Sequence, residues 1–227
     1  RFDGFMIDVI NDISGLVGFD YRIRPTPDGR YGHKLPDSTW TGMIGDVIRG
    51  GADVAVGPLQ ITLEREKVVD FSKPVITSGT QLLVKRPELP YSDIKDLMNQ
   101  DEVYVGVVRD TFQEKSVERM QSLSGFGLWD YVKRKNSFLD SYEEGITQVK
   151  NSDGKYALVV DQTDGAFITG KHCDVALFGE LFNSINLAFA CRKGSGICDK
   201  LSQGILSMRE TGRIKLIYDK WFHSGVC

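Results

Sequence analysis

Within residues 58–74, PLQITLEREKVVDFSKP, one arginine is spaced for chemistry with an anion. Arg65 follows Thr62 and Glu64, residues that favour the opening turn of a helix. A short helix there would set the guanidinium beside the backbone of Gly57 to Gln60. A planar fork of five donors matches a carboxylate better than any other side chain. The same spacing also fits a solvated surface cation in the run Glu64, Arg65, Glu66. A second candidate is Asp161, between the apolar run YALVV and the segment QTDGAFIT. Its carboxylate either supplies a countercharge to a ligand ammonium or caps the helix that follows, and different oxygens could do each. A ligand carrying both a carboxylate and an ammonium would need an anion-binding group and an anionic group facing one another, and Arg65 and Asp161 are the candidates.

The elements that must position these residues alternate. FMIDVINDISGLVG has helical period, FDYRIRPT reads as a strand, MIGDVIRGG as a helix stopped by glycine and ADVAVGP as a buried strand. After the strand GTQLLVKR the rhythm restarts with SDIKDLMNQ, VYVGVV, EKSVERMQSL, GLWDYVKRK, SYEEGITQVKN and YALVV, which predicts a second α/β lobe. The chain has 227 residues, 41% hydrophobic and 26% charged, ordinary for a soluble globular protein. Its net charge of -3 comes with scattered lysines and arginines, which excludes a nucleic-acid footprint. No apolar run approaches the roughly 20 residues of a membrane span, and RFDGFMIDVI lacks the features of a signal peptide.

The stretch PL-x-IT-x-x-R followed by DFSKP resembles the ligand-binding domain of ionotropic glutamate receptors. The resemblance runs almost end to end, with ordered counterparts at residues 2–10, 39–58, 154–165 and 211–227. It implies an α/β fold, a two-lobe clamshell of the periplasmic-binding-protein type with two crossing hinge strands. Lobe 1 would take residues 1–78 and 188–227, and lobe 2 residues 79–187. The resemblance also implies a strand upstream of Phe2, and a join near residues 86–90 in place of pore-forming membrane segments.

By the same resemblance, Arg65 takes the α-carboxylate with the N–H of Gln60, the Pro58 carbonyl accepts from the ammonium, and Asp161 supplies the countercharge. Tyr31 lies over the ligand as an aromatic lid. The loop GVVRDTFQEKS forms the other wall, opening a helix whose first amides can bind an anion. Phe112 and Gln113 stand where glutamate-binding members carry a Ser-Thr pair, while Thr111 offers one hydroxyl if the loop shifts by a residue. Asp161 replaces the longer Glu of AMPA-type and kainate-type sites, and Gln60 replaces the usual Thr. Lost carboxylate contacts and added bulk favour glycine over L-glutamate, with D-serine or alanine as further candidates, and bring the pocket closest to glycine-binding NMDA-type members. Arg109 and Asp3 are expected to form an interlobe latch.

Four cysteines allow three pairings. The resemblance pairs Cys173 with Cys227, which implies an oxidising, extracellular compartment. Cys191 and Cys198 either close a loop across RKGSGI or remain as buried thiols. No metal motif or nucleophile elbow is present, and His33, His172 and His223 fall away from the expected site, so neither catalysis, a metal nor a cofactor is expected. The expected partners are the amino acid and other receptor subunits, as a dimer of ligand-binding domains within a tetramer, with the membrane reached only through the missing pore segments. A bacterial-type periplasmic amino-acid-binding protein and an L-glutamate-binding receptor domain are the alternatives.

Overall fold

The computed structural model describes residues 2–86, 91, 93–109, 111–124, 127–181 and 183–223. The chain divides into two compact α/β units. Unit 1 runs to Thr77 and resumes over Ile185–Trp221, and unit 2 takes Ser78–Ser184 together with Phe222 and His223. The sequence reading carries lobe 1 to residue 227, whereas Phe222 and His223 group with unit 2. The expected join near 86–90 lies outside the described residues except for Arg86.

Unit 1 opens with α1 (Phe5–Val17), whose Phe5, Val9, Ile10 and Ile13 recur at helical spacing and are buried. Gly18 ends it in the left-handed conformation, φ 75°, where a Cβ would be strained. α2 (Gly42–Ile48), β1 (Val54–Gln60), the one-turn α3 (Leu63–Glu66), β2 (Val69–Phe71) and β3 (Ile76–Ser78) follow. The chain then passes through β4 (Thr80–Lys85), α4 (Ile94–Gln100), β5 (Tyr104–Val108), α5 (Phe112–Ser124) and α6 (Leu128–Lys135). It continues with β6 (Phe138–Leu139), α7 (Tyr142–Asn151), β7 (Tyr156–Asp161), α8 (Gln162–Lys171) and β8 (Val175–Phe178). It returns to unit 1 as β9 (Ile185–Arg192), α9 (Ile197–Glu210) and α10 (Arg213–Phe222).

β9 is the organising strand of unit 1. β1 and β2 flank it, both antiparallel, and β3 also pairs with it. Ile44 and Val47 of α2 pack on Leu59, Val69 and Ala190 beneath this sheet. α9 crosses α1 so closely at Gly204 that a Cβ there would lie 2.7 Å from Cγ2 of Ile13. Cys191, near the end of β9, and Cys198, in the first turn of α9, form a disulfide with Cα atoms 5.7 Å apart, so they are not the buried thiols of the second reading.

Unit 2 carries a five-stranded sheet in the order β6-β5-β7-β4-β8, parallel at β5 with both neighbours and antiparallel at β4. Its strands read as continuous apolar runs because both faces are covered. Leu82 and Val159 point into one core with Val105 and Val107, while Leu83, Leu158 and Val160 alternate into the other with Val149 of α7.

Residues 19–26, read from FDYRIRPT as a strand, form none. The alternation of Phe19, Tyr21 and Ile23 suits a strand, but among the described residues no strand lies alongside to complete a ladder. Instead the segment lines one side of a cavity of about 780 Å³, with Val54 and Val56 of β1 and Leu201 of α9 on others.

No described helix is long and apolar enough to cross a membrane. Leu158 is fully buried, so Leu158→Ala should destabilise unit 2 by about 2–5 kcal/mol in urea denaturation. A loss below about 1 kcal/mol would show that the space collapses or that the strand is not core.

Candidate functional site

In unit 1 the chemistry gathers around α3. Thr62 opens this turn, its hydroxyl accepting the Arg65 N–H at 3.3 Å. The Arg65 guanidinium then folds back: Nη1 donates to the Gln60 carbonyl and Nη2 to the Gly32 carbonyl, each at 2.9 Å. Those contacts use two of the five donors of a guanidinium. Arg65 is half-buried, and among the described residues no carboxylate pairs with it. Burial pulls its pKa below the ordinary value, opposed by the charge of Glu64.

The backbone around this cation leaves the regular ladder. The Ile61 N–H donates to Asn186, so in the antiparallel ladder the adjoining Gln60–Leu187 pair turns the N–H and C=O of Gln60 away from β9. That carbonyl meets Arg65, and the N–H faces the same open edge. The β1–β9 register slips between Ala55 and Leu59, which takes Gly57 and Pro58 out of the regular ladder. The Tyr31 ring lies beside this slip, since a Cβ on Gly57 would stand 3.6 Å from Cε1 of Tyr31 and 2.8 Å from Cε of Met43. Tyr31 is 53% exposed. Its loop is fastened by Asp28, which accepts the N–H groups of Arg30 and Gly42, and by the Ile44 N–H on the Tyr31 carbonyl. Arg65, Gln60, Pro58 and Tyr31 thus share one edge of unit 1. The Gly32 carbonyl was not legible, because its contact with Arg65 spans 33 positions and carries no side-chain signature.

In unit 2 Asp161 ends β7 and caps α8. Three hydrogen bonds converge on its Oδ1: from the Ser78 hydroxyl at 2.7 Å, the Thr163 N–H at 2.9 Å and the Thr163 hydroxyl. Oδ2 has no hydrogen-bond partner among the described residues. Of the two roles offered as alternatives the structure shows the cap, which uses Oδ1. Ser78 was missed; a lone serine in ITSGT gives no signal of its partner.

The start of α5 holds the remaining candidates. The Thr111 hydroxyl donates to the Val108 carbonyl at 2.7 Å and accepts the Glu114 N–H at 3.3 Å, an N-cap arrangement. Phe112 is half-buried. Gln113 is buried, and its Oε1 accepts from the Tyr142 hydroxyl at 2.7 Å. Burial, with the charges of Asp164 and Asp161 adding, pushes Tyr142 up to about 12, while its hydrogen bond with Thr111 opposes. Asp164 is pushed up to about 6 by burial and by the charge of Asp161. By surface area Asp164 is exposed, so solvent screens part of that penalty. Sequence reading missed Tyr142 and Asp164; both belong to solvated-looking runs, SYEEG and QTDG.

Arg109 and Asp3 lie in different units. Both are exposed, and the Arg109 guanidinium stacks over Phe138 at 4.6 Å. His33 bonds with Thr41 and His172 with Lys150, neither at the candidate residues. No cluster of metal-ligating side chains occurs among the described residues. Cys173 is disulfide-bonded; its expected partner, Cys227, lies outside the described residues.

A family profile described as "Ligated ion channel L-glutamate- and glycine-binding site" matches residues 1–88. "Glutamate receptor ionotropic, kainate 5" of Homo sapiens is 23% identical over all of this chain and 35% of the receptor. "Glutamate receptor ionotropic, delta-1" of Homo sapiens is 24% identical over 100% and 35%, and "Glutamate receptor" of Lymnaea stagnalis 22% identical over 99% and 38%. In these matches the chain is similar to ionotropic glutamate receptors. The chain spans about a third of the length of these relatives. The kainate 5 alignment is 354 positions long against 227 residues here, so the relative carries sequence that this chain lacks.

Because the folded Asp164 carboxyl titrates near 6, above its ordinary 3.8, the folded protein holds this proton more tightly than the unfolded chain. The stability it contributes is present below about pH 4 and is lost as pH rises through about 6. Asp164→Asn should therefore raise the urea midpoint at about pH 7.5 and match wild type at about pH 4. An equal gap at both pH values would mean that Asp164 acts through packing rather than charge.

Proposed function

We propose that this chain is the ligand-binding domain of a ligand-gated cation channel, taking a small amino acid, glycine first, on the extracellular side of the membrane. The observation that carries the reading is Arg65: a half-buried cation held by two neutral carbonyls, with donors to spare and no carboxylate partner among the described residues. Partly desolvated charges are normally paired, and an α-carboxylate completes this one with the Gln60 N–H beside it. Within unit 1 the ligand ammonium goes to the Pro58 carbonyl, beneath the ring of Tyr31; within unit 2 the Oδ2 of Asp161 is the acceptor for an ammonium.

Glycine is favoured because Asp161 is short and because Phe112 and Gln113 replace hydroxyls that would hold a side-chain carboxylate. The Gln113 amide oxygen is already engaged by Tyr142. L-Glutamate is the second reading, with a specific support: the Thr111 hydroxyl stands at the opening of α5, and the matched relatives are named as kainate and delta glutamate receptors. D-serine falls between the two. The similarity to animal receptors favours this domain over a periplasmic binding protein, and those relatives are channels rather than enzymes.

In this proposal binding selects a closed state of the domain. The closed state is stabilised only by the ligand's differential affinity for it, and closure opens a pore. The domain works beside other subunits, as a dimer of ligand-binding domains within a tetramer. Disulfide-bonded Cys173, Cys191 and Cys198 suit an oxidising compartment.

Calorimetric titration with glycine and, separately, with L-glutamate tests the ligand. Glycine should bind tightly and L-glutamate weakly; the reverse order would place a carboxylate contact at Thr111 and remove the glycine reading. Arg65→Lys keeps the charge but loses the fork, and should cost about 2–5 kcal/mol of binding, a Kd increase of roughly thirtyfold or more. Wild-type affinity in that variant would eliminate Arg65 as the carboxylate ligand.

A further inference from the structure

α3 is a weak platform for the group it carries. Four residues are far too few for an isolated helix to persist, and none of its residues is buried, so apolar packing does not fix it. What holds it is polar. Thr62 ties its first turn. At the other end, the Glu66 carbonyl belongs to the set that a helix leaves without an internal partner, and it accepts from Nζ of Lys193 at 2.7 Å. A cation is favourable at that terminus. The same ammonium pairs with Oδ1 of Asp70 at 2.9 Å and reaches the Val69 carbonyl at 3.4 Å.

Lys193 is itself held in place. It lies on the loop between β9 and α9 that the Cys191–Cys198 disulfide closes. Gly194, at φ 71°, presents its N–H to Oδ2 of Asp70 at 2.7 Å, a conformation that glycine adopts without strain. One residue earlier, the Arg192 N–H bonds to the Asp53 carbonyl and its guanidinium pairs with the Asp53 carboxylate. The loop is thus anchored to β2 through Asp70 and to residue 53 through Arg192, and only Lys193 extends from it to α3.

We propose that Lys193 is a positioning residue for the anion site: by tying the Glu66 carbonyl to Asp70, it fixes the turn that carries Arg65 and so aims the guanidinium at its ligand. This rests on the reading that Arg65 takes the ligand carboxylate. Arg65 precedes Glu66 directly, so a shift of that carbonyl moves the neighbouring backbone and with it the two hydrogen bonds to Gln60 and Gly32.

The test compares Lys193→Met, Lys193→Arg and Arg192→Ala with wild type, all checked for thermal midpoint. Arg192→Ala loosens the same loop through its pair with Asp53 without touching α3, and so controls for a merely structural effect. Two quantities are measured: the Arg65 Nε–Hε resonance of the ligand-free protein, assigned by its loss in Arg65→Lys, and the Kd for glycine and for L-glutamate. Lys193→Met should shift or broaden the resonance and weaken the binding ligand by about fivefold to fiftyfold. Lys193→Arg should restore most of both, and Arg192→Ala should move both far less than Lys193→Met does. An unmoved resonance in Lys193→Met, or equal effects from Arg192→Ala, overturns the proposal. If Arg65→Lys binds like wild type, the carboxylate reading fails. If Arg65→Lys loses binding while Lys193→Met keeps it, only the positioning role fails. Should neither amino acid bind, the resonance alone decides.

Discussion

A guanidinium drawn partly out of water costs free energy unless its donors are met and its charge is balanced. Arg65 has the first condition half fulfilled and the second not at all within the described residues. Two carbonyls set the direction of its plane, and the remaining N–H groups share the open edge of β1. Arginine does not escape this situation by releasing its proton, so the imbalance is left for an anion to correct. The register slip before Leu59, the fastening of the Tyr31 loop by Asp28, and the cap from Thr62 all keep that imbalance in one place.

Unit 2 meets the complementary problem with a division of labour inside one carboxylate. Asp161 is 8% exposed, and its buried charge is stabilised by three donors that all choose Oδ1. The same bonds that cap α8 fix the side chain so that Oδ2 stays in a set direction. Replacement by Asn would retain an acceptor for the cap and remove the charge, whereas Glu would lengthen the arm and break the local geometry between positions 161 and 163. The cap of α8 and the direction of Oδ2 are therefore linked through one rotamer.

The parts of this arrangement that lie close in sequence were readable, and those that depend on distant packing were not. Arg65 stood out because a fork inside TLERE, six residues beyond Leu59 of a proline-leucine pair, has a limited set of uses. YALVV announced a strand through its unbroken apolar run, and β7 is that strand, covered on both faces. Gly32, Ser78 and Tyr142 join the candidate site through contacts that span 29 to 83 positions, and no local pattern encodes them. FDYRIRPT misled for a related reason: alternation describes a side-chain pattern, but a strand also needs a neighbour. Cysteine counting left Cys191 and Cys198 undecided, since spacing cannot distinguish a closed loop from two buried thiols.

The place of β9 in the chain order has a consequence for how the protein is made. β1, β2 and β3 all pair with β9, yet it is the last described strand to be synthesised. The five strands of unit 2 come from one uninterrupted stretch. On a ribosome adding about 5–20 residues each second, all five strands of unit 2 are complete before β9. The amino-terminal segment, with the apolar faces of α1 and β1 still uncovered, must wait until the whole of that stretch has emerged. The wait of β1, β2 and β3 for their common partner thus lasts at least as long as the synthesis of unit 2.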